Sequence, residues 1–210
     1  MKKNLQNYLM PTYGYRNLEF IEGNGCYLIS KDKKKYLDFG SGIAVNSLGH
    51  CHPSLVRKLQ TQANKLWHVS NLYLNTEQME YAKLLCDHSF ADKVFFTNSG
   101  AEAIEAGLKV IRSYHFVNKN FNKKNIITFD GAFHGRTFAA LSAQKNKKYS
   151  YGFEPLLEGF INIPFNDIDE VNKNIDENTA AIMIETVQGE GGIRPANLKF
   201  LEEIREICNT

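Results

Sequence analysis

Charge of one sign is what this chain lacks most plainly. Lys and Arg together number 25 and Asp and Glu 23, leaving a formal net charge of +2 over 210 residues. A balance so even builds no field to recruit nucleic acid or an anionic membrane surface, and neither partner is expected. The short lysine groups Lys33 to Lys35, Lys123 with Lys124, and Lys145 with Lys147 and Lys148 are broken up by acids and asparagines, so they read as solvated surface. Cys26, Cys51, Cys86 and Cys208 lie far apart with no CxxC spacing, which fits free thiols in a reducing compartment better than a secreted disulfide scaffold. No run of about 18 apolar residues occurs, and the opening MKKNLQNYLMPTYGY has two lysines but no apolar core of signal-peptide length. A cytoplasmic protein is the expectation.

Also missing are the glycine spacings GxGxxG and GxxxxGK[ST], which argues against a dinucleotide fold or a P-loop. HCHP, residues 50–53, offers metal-ligand residue types, but neighbours rarely reach one ion and no second cluster completes a tetrahedral site. With Pro53 at a favoured first helical position, the segment reads as the start of a helix, and no metal is expected.

What is present has two textures. Residues 1–50 read as short strands, LEFIE, CYLIS and YLDF, separated by Gly23, Asn24 and Gly25 and by a turn at Asp32 to Lys35. Residues 51–210 begin with a helix whose Leu55, Val56, Leu59, Ala63 and Leu66 share a face, and a second helix starts at Asn75 or Thr76. From residue 92 the β-rich runs KVFFT, NIITF, FINI and AAIMIE alternate with helical stretches, which predicts an α/β fold with a mostly parallel sheet covered on both sides. Ala101, Ile104, Leu108, Ile111 and His115 mark one helix face; Leu198, Leu201, Ile204 and Cys208 mark another. The last helix runs to Thr210 with no Gly or Pro stop and no strand after it, so the sheet is expected to be incomplete.

Open α/β sheets bind ligands at the carboxyl ends of their strands, and three unusual loops fall there. TNSGAEA, residues 97–103, opens a long helix; Ser99, Gly100 and Ala101 form either a simple N-cap or an anion cradle of free N–H groups favoured by the helix dipole. DGAFHGRT, residues 130–137, sets Phe133 to stack on a cofactor ring and Arg136 to grip a carboxylate, or else holds a core phenylalanine and a surface ion pair. ETVQGEGGIRP, residues 185–195, surrounds Glu190 with Gly189, Gly191 and Gly192, and a tight turn accounts for the glycines but not for the acid.

Taken in order, PTYGY, GNG followed by CYL, YLDF, SGIAVNSLGHCHP, LWHVSNLY, FFTNSGAEA, FDGAFHGRT and VQGEGG resemble the class III (subgroup II) aminotransferases, within the fold-type I group of pyridoxal phosphate enzymes. The likeness covers nearly the whole chain, and the acetylornithine branch is the most similar. It implies that residues 1–50 belong to a small domain and 51–210 to the first half of the large, cofactor-binding domain. Ser99, Gly100 and Ala101 would then hold the phosphate of pyridoxal 5'-phosphate and Phe133 would stack on its ring. Arg136 would bind the α-carboxylate of acetylornithine and the side-chain carboxylate of glutamate in turn. Glu190 would pair with a later arginine and Tyr13 would lie on the substrate side, with Glu185 behind them. Gly42 and His134 stand where ornithine aminotransferases carry tyrosine and tryptophan, which favours the acetylornithine branch.

The implied reaction moves the δ-amino group of N2-acetylornithine to 2-oxoglutarate in arginine biosynthesis, in a homodimer at full length. Succinyldiaminopimelate, ornithine or 4-aminobutyrate are alternative donors, and a non-catalytic anion-binding fragment is the alternative from another class. Such chemistry needs a lysine and an acid at the ring nitrogen. The resemblance places both beyond Thr210, so no catalytic residue is nominated here and the isolated chain is expected to be inactive.

Overall fold

A computed structural model describes residues 8–14 and 17–210. Lys2, Lys3 and Tyr15, the last residue of PTYGY, lie outside the described residues. The chain divides into two compact units, Met1–Leu84 and Leu85–Thr210.

In the first unit, β1 (Phe20–Asn24), β2 (Tyr27–Ser30) and β3 (Lys35–Leu37) form an antiparallel sheet in that order. The turns fall at Gly25 and at Asp32 to Lys34, as the punctuation of the sequence requires; Gly25 and Lys33 take φ of 55° and 64°. Next comes a left-handed turn, α1 (Ser41–Ala44), with Gly42 at φ 63° and the β-branched Ile43 at 66°, a conformation that costs roughly 1–2 kcal/mol per non-glycine residue. Asp38 holds its start: Oδ1 accepts from the N–H groups of Gly40 and Ser41 at 2.9 and 3.0 Å, while Oδ2 pairs with His50 Nε2 at 2.7 Å. α2 (Pro53–Ala63) begins with His52 as N-cap and Pro53 at its first position, so HCHP is the expected helix start. Its apolar residues are not covered: Leu55 and Leu59 are 55% and 71% exposed. Helical spacing names a face without naming what packs on it. α3 (Thr76–Asp87) is capped by Asn75, whose Oδ1 accepts from Gln78 N–H at 2.9 Å.

The second unit contains α4 (Gly100–Val117), β4 (Asn125–Phe129), α5 (Phe138–Gln144), α6 (Lys147–Ser150), β5 (Phe160–Ile163), α7 (Ile168–Asn174), β6 (Thr179–Ile182), β7 (Val187–Gln188), β8 (Arg194–Pro195) and α8 (Leu198–Ile207). Strands β5, β4 and β6 form a parallel sheet with β4 in the middle. Alternation along β4 sends its side chains to opposite faces. Ile126 joins Leu108 of α4 and Ala139 and Ala143 of α5 on one face. Ile127 and Phe129 join Val171 of α7 and Phe200 and Ile204 of α8 on the other. Both faces of the sheet are therefore covered, as expected for an α/β fold. Each of the larger buried side chains among these, the leucine, isoleucines, valine and phenylalanines, contributes about 1.5–3 kcal/mol.

Two expectations change. KVFFT is not a strand: residues 93–97 carry no ladder among the described residues, and Phe95 is 78% exposed. β propensity expresses fit to a sheet surface and does not by itself make a strand. In α8 the buried stripe is Phe200 and Ile204 with Ile207 packed beside them, while Leu198 is exposed. Both stripes have helical spacing; Phe200 decides between them by packing edge-on to Phe129 and Phe165, with ring centroids 5.6 and 6.2 Å away. Among the described residues no helix is long and apolar enough to cross a membrane.

Candidate functional site

Ser99 is the N-cap of α4, and its Oγ accepts from Glu102 N–H at 3.2 Å. Glu102 answers by accepting from Asn98 N–H at 2.7 Å, so a reciprocal capping arrangement secures this end. Of the three N–H groups that open this helix, those of Gly100, Ala101 and Glu102, the cap takes that of Glu102. Gly100 and Ala101 keep theirs, since neither donates to a protein group among the described residues. Gly100 also has open space where a β-carbon would stand. The segment is an N-cap, and it leaves two N–H groups at the positive end of an 18-residue helix.

The DGAFHGRT loop leaves the end of β4 and is seated against this helix start. A β-carbon at Gly135 would come within 3.3 Å of the side chains of Ala101 and Ala140, and Gly135 has φ 127°. Only glycine gives both the conformation and the closeness. Phe133 beside it is partly exposed rather than core, and its N–H donates to Glu185 Oε2 at 2.9 Å, which ties the loop after β4 to the segment after β6. Burial raises the Glu185 carboxyl above its ordinary value, with the Phe133 N–H acting in the opposite direction. His134 is 5% exposed, its backbone N–H bound to Gln144 Oε1 at 2.9 Å and its Nε2 buried without a partner; burial lowers its pKa below the ordinary histidine value.

Arg136 is exposed, and among the described residues it forms no ion pair. Its guanidinium carbon lies 4.0 Å from the centre of the Tyr149 ring and 5.8 Å from that of Phe133. The Phe133 and Tyr149 rings meet edge to face at 5.9 Å. The Tyr149 hydroxyl donates to Glu190 Oε1, and Lys148 Nζ stands 3.9 Å from the same oxygen. Glu190 sits in the hairpin of β7 and β8, which packs on the DGAFHGRT loop: Gln188, fully buried, donates to Asp130 O at 2.9 Å, and a β-carbon on Gly191 would come within 2.7 Å of Gly131 O. Close approach therefore explains Gly131 and Gly191.

Of the residues nominated from the sequence, Ser99, Gly100, Ala101, Phe133, Arg136 and Glu190 all lie in the second unit on these linked loops. Tyr13 lies in the first unit, 82% exposed on the turn before β1. Tyr149 and Gln188 escaped sequence reasoning. Tyr149 stands in a lysine-rich stretch that reads as solvated surface, and nothing in its local pattern marks it as 8% exposed. Gln188 carried a signal: it is the polar residue directly before the glycine run. In the HCHP segment Cys51 is exposed, and no group of metal-ligating side chains is found among the described residues.

The arrangement offers two free N–H groups for a phosphate, an aromatic ring to lie against a planar group and an unpaired guanidinium for a carboxylate. Comparison with known proteins gives the family. The acetylornithine aminotransferase 1 of Bradyrhizobium diazoefficiens is 50% identical over 202 residues, covering 96% of this chain and 50% of that protein. An N-acetylornithine aminotransferase structure from Stenotrophomonas maltophilia superposes with a TM-score of 0.79 at 35% identity, covering 95% of this chain and 50% of that one. An ornithine aminotransferase from Toxoplasma gondii, described with partial occupancy of PLP at its active site, superposes with a TM-score of 0.89 at 27% identity over 97% of this chain and 49% of that one. The chain thus spans about half the length of the relatives it matches. The Aminotransferase class-III family matches residues 12–210, and the chain belongs to that family.

Proposed function

We propose that this chain carries the cofactor-phosphate and substrate-carboxylate groups of a pyridoxal phosphate-dependent aminotransferase that moves the δ-amino group of N2-acetylornithine to 2-oxoglutarate. The observation that carries this reading is Arg136. It is a guanidinium with no carboxylate of its own, held on an aromatic face beside Phe133, in a loop that Gly135 seats against the start of α4. The naming of the 50% identical relative supports the choice of donor.

The residues present fit the cofactor. The Gly100 and Ala101 N–H groups and the Ser99 hydroxyl would hold its phosphate, and Phe133 would cover its ring. When bound, pyridoxal phosphate supplies an electron sink for the carbon that exchanges its amine. Arg136 binds the carboxylate remote from the reacting carbon, which is the α-carboxylate in acetylornithine and the side-chain carboxylate in glutamate, so one arginine serves both half-reactions. Glu190 offers the opposite charge beside it. Glu185 acts through Phe133, whose N–H it accepts, and keeps the stacking ring in place. The lysine that handles the amine and the acid at the ring nitrogen are assigned to the half of the relatives' length that this chain does not span. A homodimer in the cytoplasm is the proposed state of the whole protein.

The test is donor preference of the protein encoded by the complete gene. Turnover of N2-acetylornithine with 2-oxoglutarate is expected, well ahead of ornithine, succinyldiaminopimelate and 4-aminobutyrate. Turnover of any of these three with none of acetylornithine would reassign the donor.

A further inference from the structure

Arg136 and Glu190 are opposite charges that touch the same side chain, yet among the described residues no ion pair joins them. Left alone at the mouth of one site, a guanidinium and a carboxylate would close on each other as a bidentate pair. Between them stands Tyr149, 8% exposed and fixed by the edge-to-face contact with Phe133 at 5.9 Å. Its face takes the guanidinium at 4.0 Å, and its hydroxyl takes the Glu190 carboxylate. Lys148 Nζ, 3.9 Å from Glu190 and 5.0 Å from the Tyr149 ring, adds a cation on the carboxylate side.

We propose that Tyr149 is a positioning residue that keeps Arg136 and Glu190 from neutralising each other, so that the guanidinium fork stays open to a substrate carboxylate. This deepens the reading of Arg136 given above and rests on it. The physical case is one of competition. A cation on an aromatic face keeps its N–H donors, because the ring attracts its charge without accepting in the plane of the fork. A carboxylate that already accepts a phenol O–H is a weaker competitor for those donors. One tyrosine therefore does two things that no aliphatic residue does, and its two functions are separable by substitution.

The experiment uses NMR on the 210-residue chain, with 2-oxoglutarate as the carboxylate probe and Arg136→Ala as the reference for loss of the site. Tyr149→Phe keeps the ring and removes the hydroxyl. Glu190, released, is expected to take the fork, and affinity for 2-oxoglutarate should fall roughly tenfold. Adding Glu190→Gln to Tyr149→Phe removes the competing carboxylate and should recover the affinity lost in Tyr149→Phe alone. Unchanged affinity in Tyr149→Phe, or failure of the second substitution to restore it, overturns the proposal.

A second readout needs no ligand. Rotation of the Arg136 guanidinium should slow in Tyr149→Phe, as bidentate pairing demands, and return to the wild-type rate in the double variant. The ring-current shift of the Arg136 side-chain protons should survive in Tyr149→Phe and shrink in Tyr149→Leu to what the Phe133 ring, 5.8 Å away, supplies; an unchanged shift in Tyr149→Leu also overturns the proposal. If wild type and Arg136→Ala bind 2-oxoglutarate alike, the assignment of Arg136 to a substrate carboxylate fails. The guanidinium measurements then still decide whether Tyr149 separates the two charges.

Discussion

Gly135 lies so close to Ala101 that a single added β-carbon would stand 3.3 Å from the alanine methyl. Through this contact the loop after β4 rests on the N-terminus of α4, bringing the aromatic and guanidinium groups to the end of the helix that leaves N–H groups free. The φ of 127° at Gly135 adds a second restriction, since side-chain-bearing residues rarely adopt it. Gly135→Ala is expected to destabilise the chain by about 1–3 kcal/mol through the backbone conformation and the displaced contact. It should also weaken binding of pyridoxal phosphate by moving Phe133 off the helix start. Chemical denaturation reads the first effect and a cofactor fluorescence titration the second. A variant as stable as the parent and binding as tightly would remove this contact from the account.

Ser99→Ala tests the cap and the cradle together. Loss of an N-cap acceptor costs typically about 1 kcal/mol, and the Glu102 N–H it releases becomes a third free donor at the helix end. Stability should therefore fall by that amount while phosphate binding, followed by phosphorus NMR, loses the hydroxyl and gains an N–H. Ser99→Gly, which keeps a good capping backbone, should cost only a few tenths of a kcal/mol.

Glu185 gives a pH dependence of known sign. Its carboxyl is raised by burial, so the folded chain holds this proton to a higher pH than the unfolded chain does. Folding stability contributed by this group is present below the ordinary carboxylate pKa of 4.5 and is lost as pH rises through the raised folded value. Glu185→Gln keeps an acceptor for the Phe133 N–H and removes the titration. Thermal melts from acid to neutral pH should show the variant gaining on the parent as pH rises; parallel curves would mean that the carboxyl is not perturbed.

His134 titrates with the opposite slope. Burial holds its pKa below the ordinary 6.5, so its contribution to stability is present above that value and is lost as pH falls from it towards the lower folded pKa. His134→Gln should flatten that part of the stability profile. In the ring carbon spectrum, the His134 signal should convert to its protonated form only below the ordinary histidine range. Titration of His134 at or above that range would contradict the burial argument.

Much of the site was legible because its chemistry is local. Ser99 before Gly100 and three residues ahead of Glu102 is a cap written in the sequence, and the structure adds only that the cap spends one of the three N–H groups. Phe133 and Arg136 were readable as a pair because one loop holds both. Tyr149 was not, because its meaning depends on Glu190, 41 residues further along, and no local pattern encodes that meeting. The β7 and β8 hairpin was missed for a related reason. A glycine run announces freedom of the backbone, whereas the hairpin exists because Gly191 and Gly131 let two loops approach.

By itself, then, the sequence determined the family, the α/β class, the alternation of strands and helices, and the residue types carried by the loops at the start of α4 and after β4. These follow from periodicity, turn chemistry and motif order, all of which act between near neighbours. Tertiary structure alone decided which stripe of α8 is buried, that KVFFT forms no strand among the described residues, and that a tyrosine stands between Arg136 and Glu190. Each of those outcomes is a choice among partners distant along the chain. Local propensity makes a face or a strand available, and only packing selects what it meets.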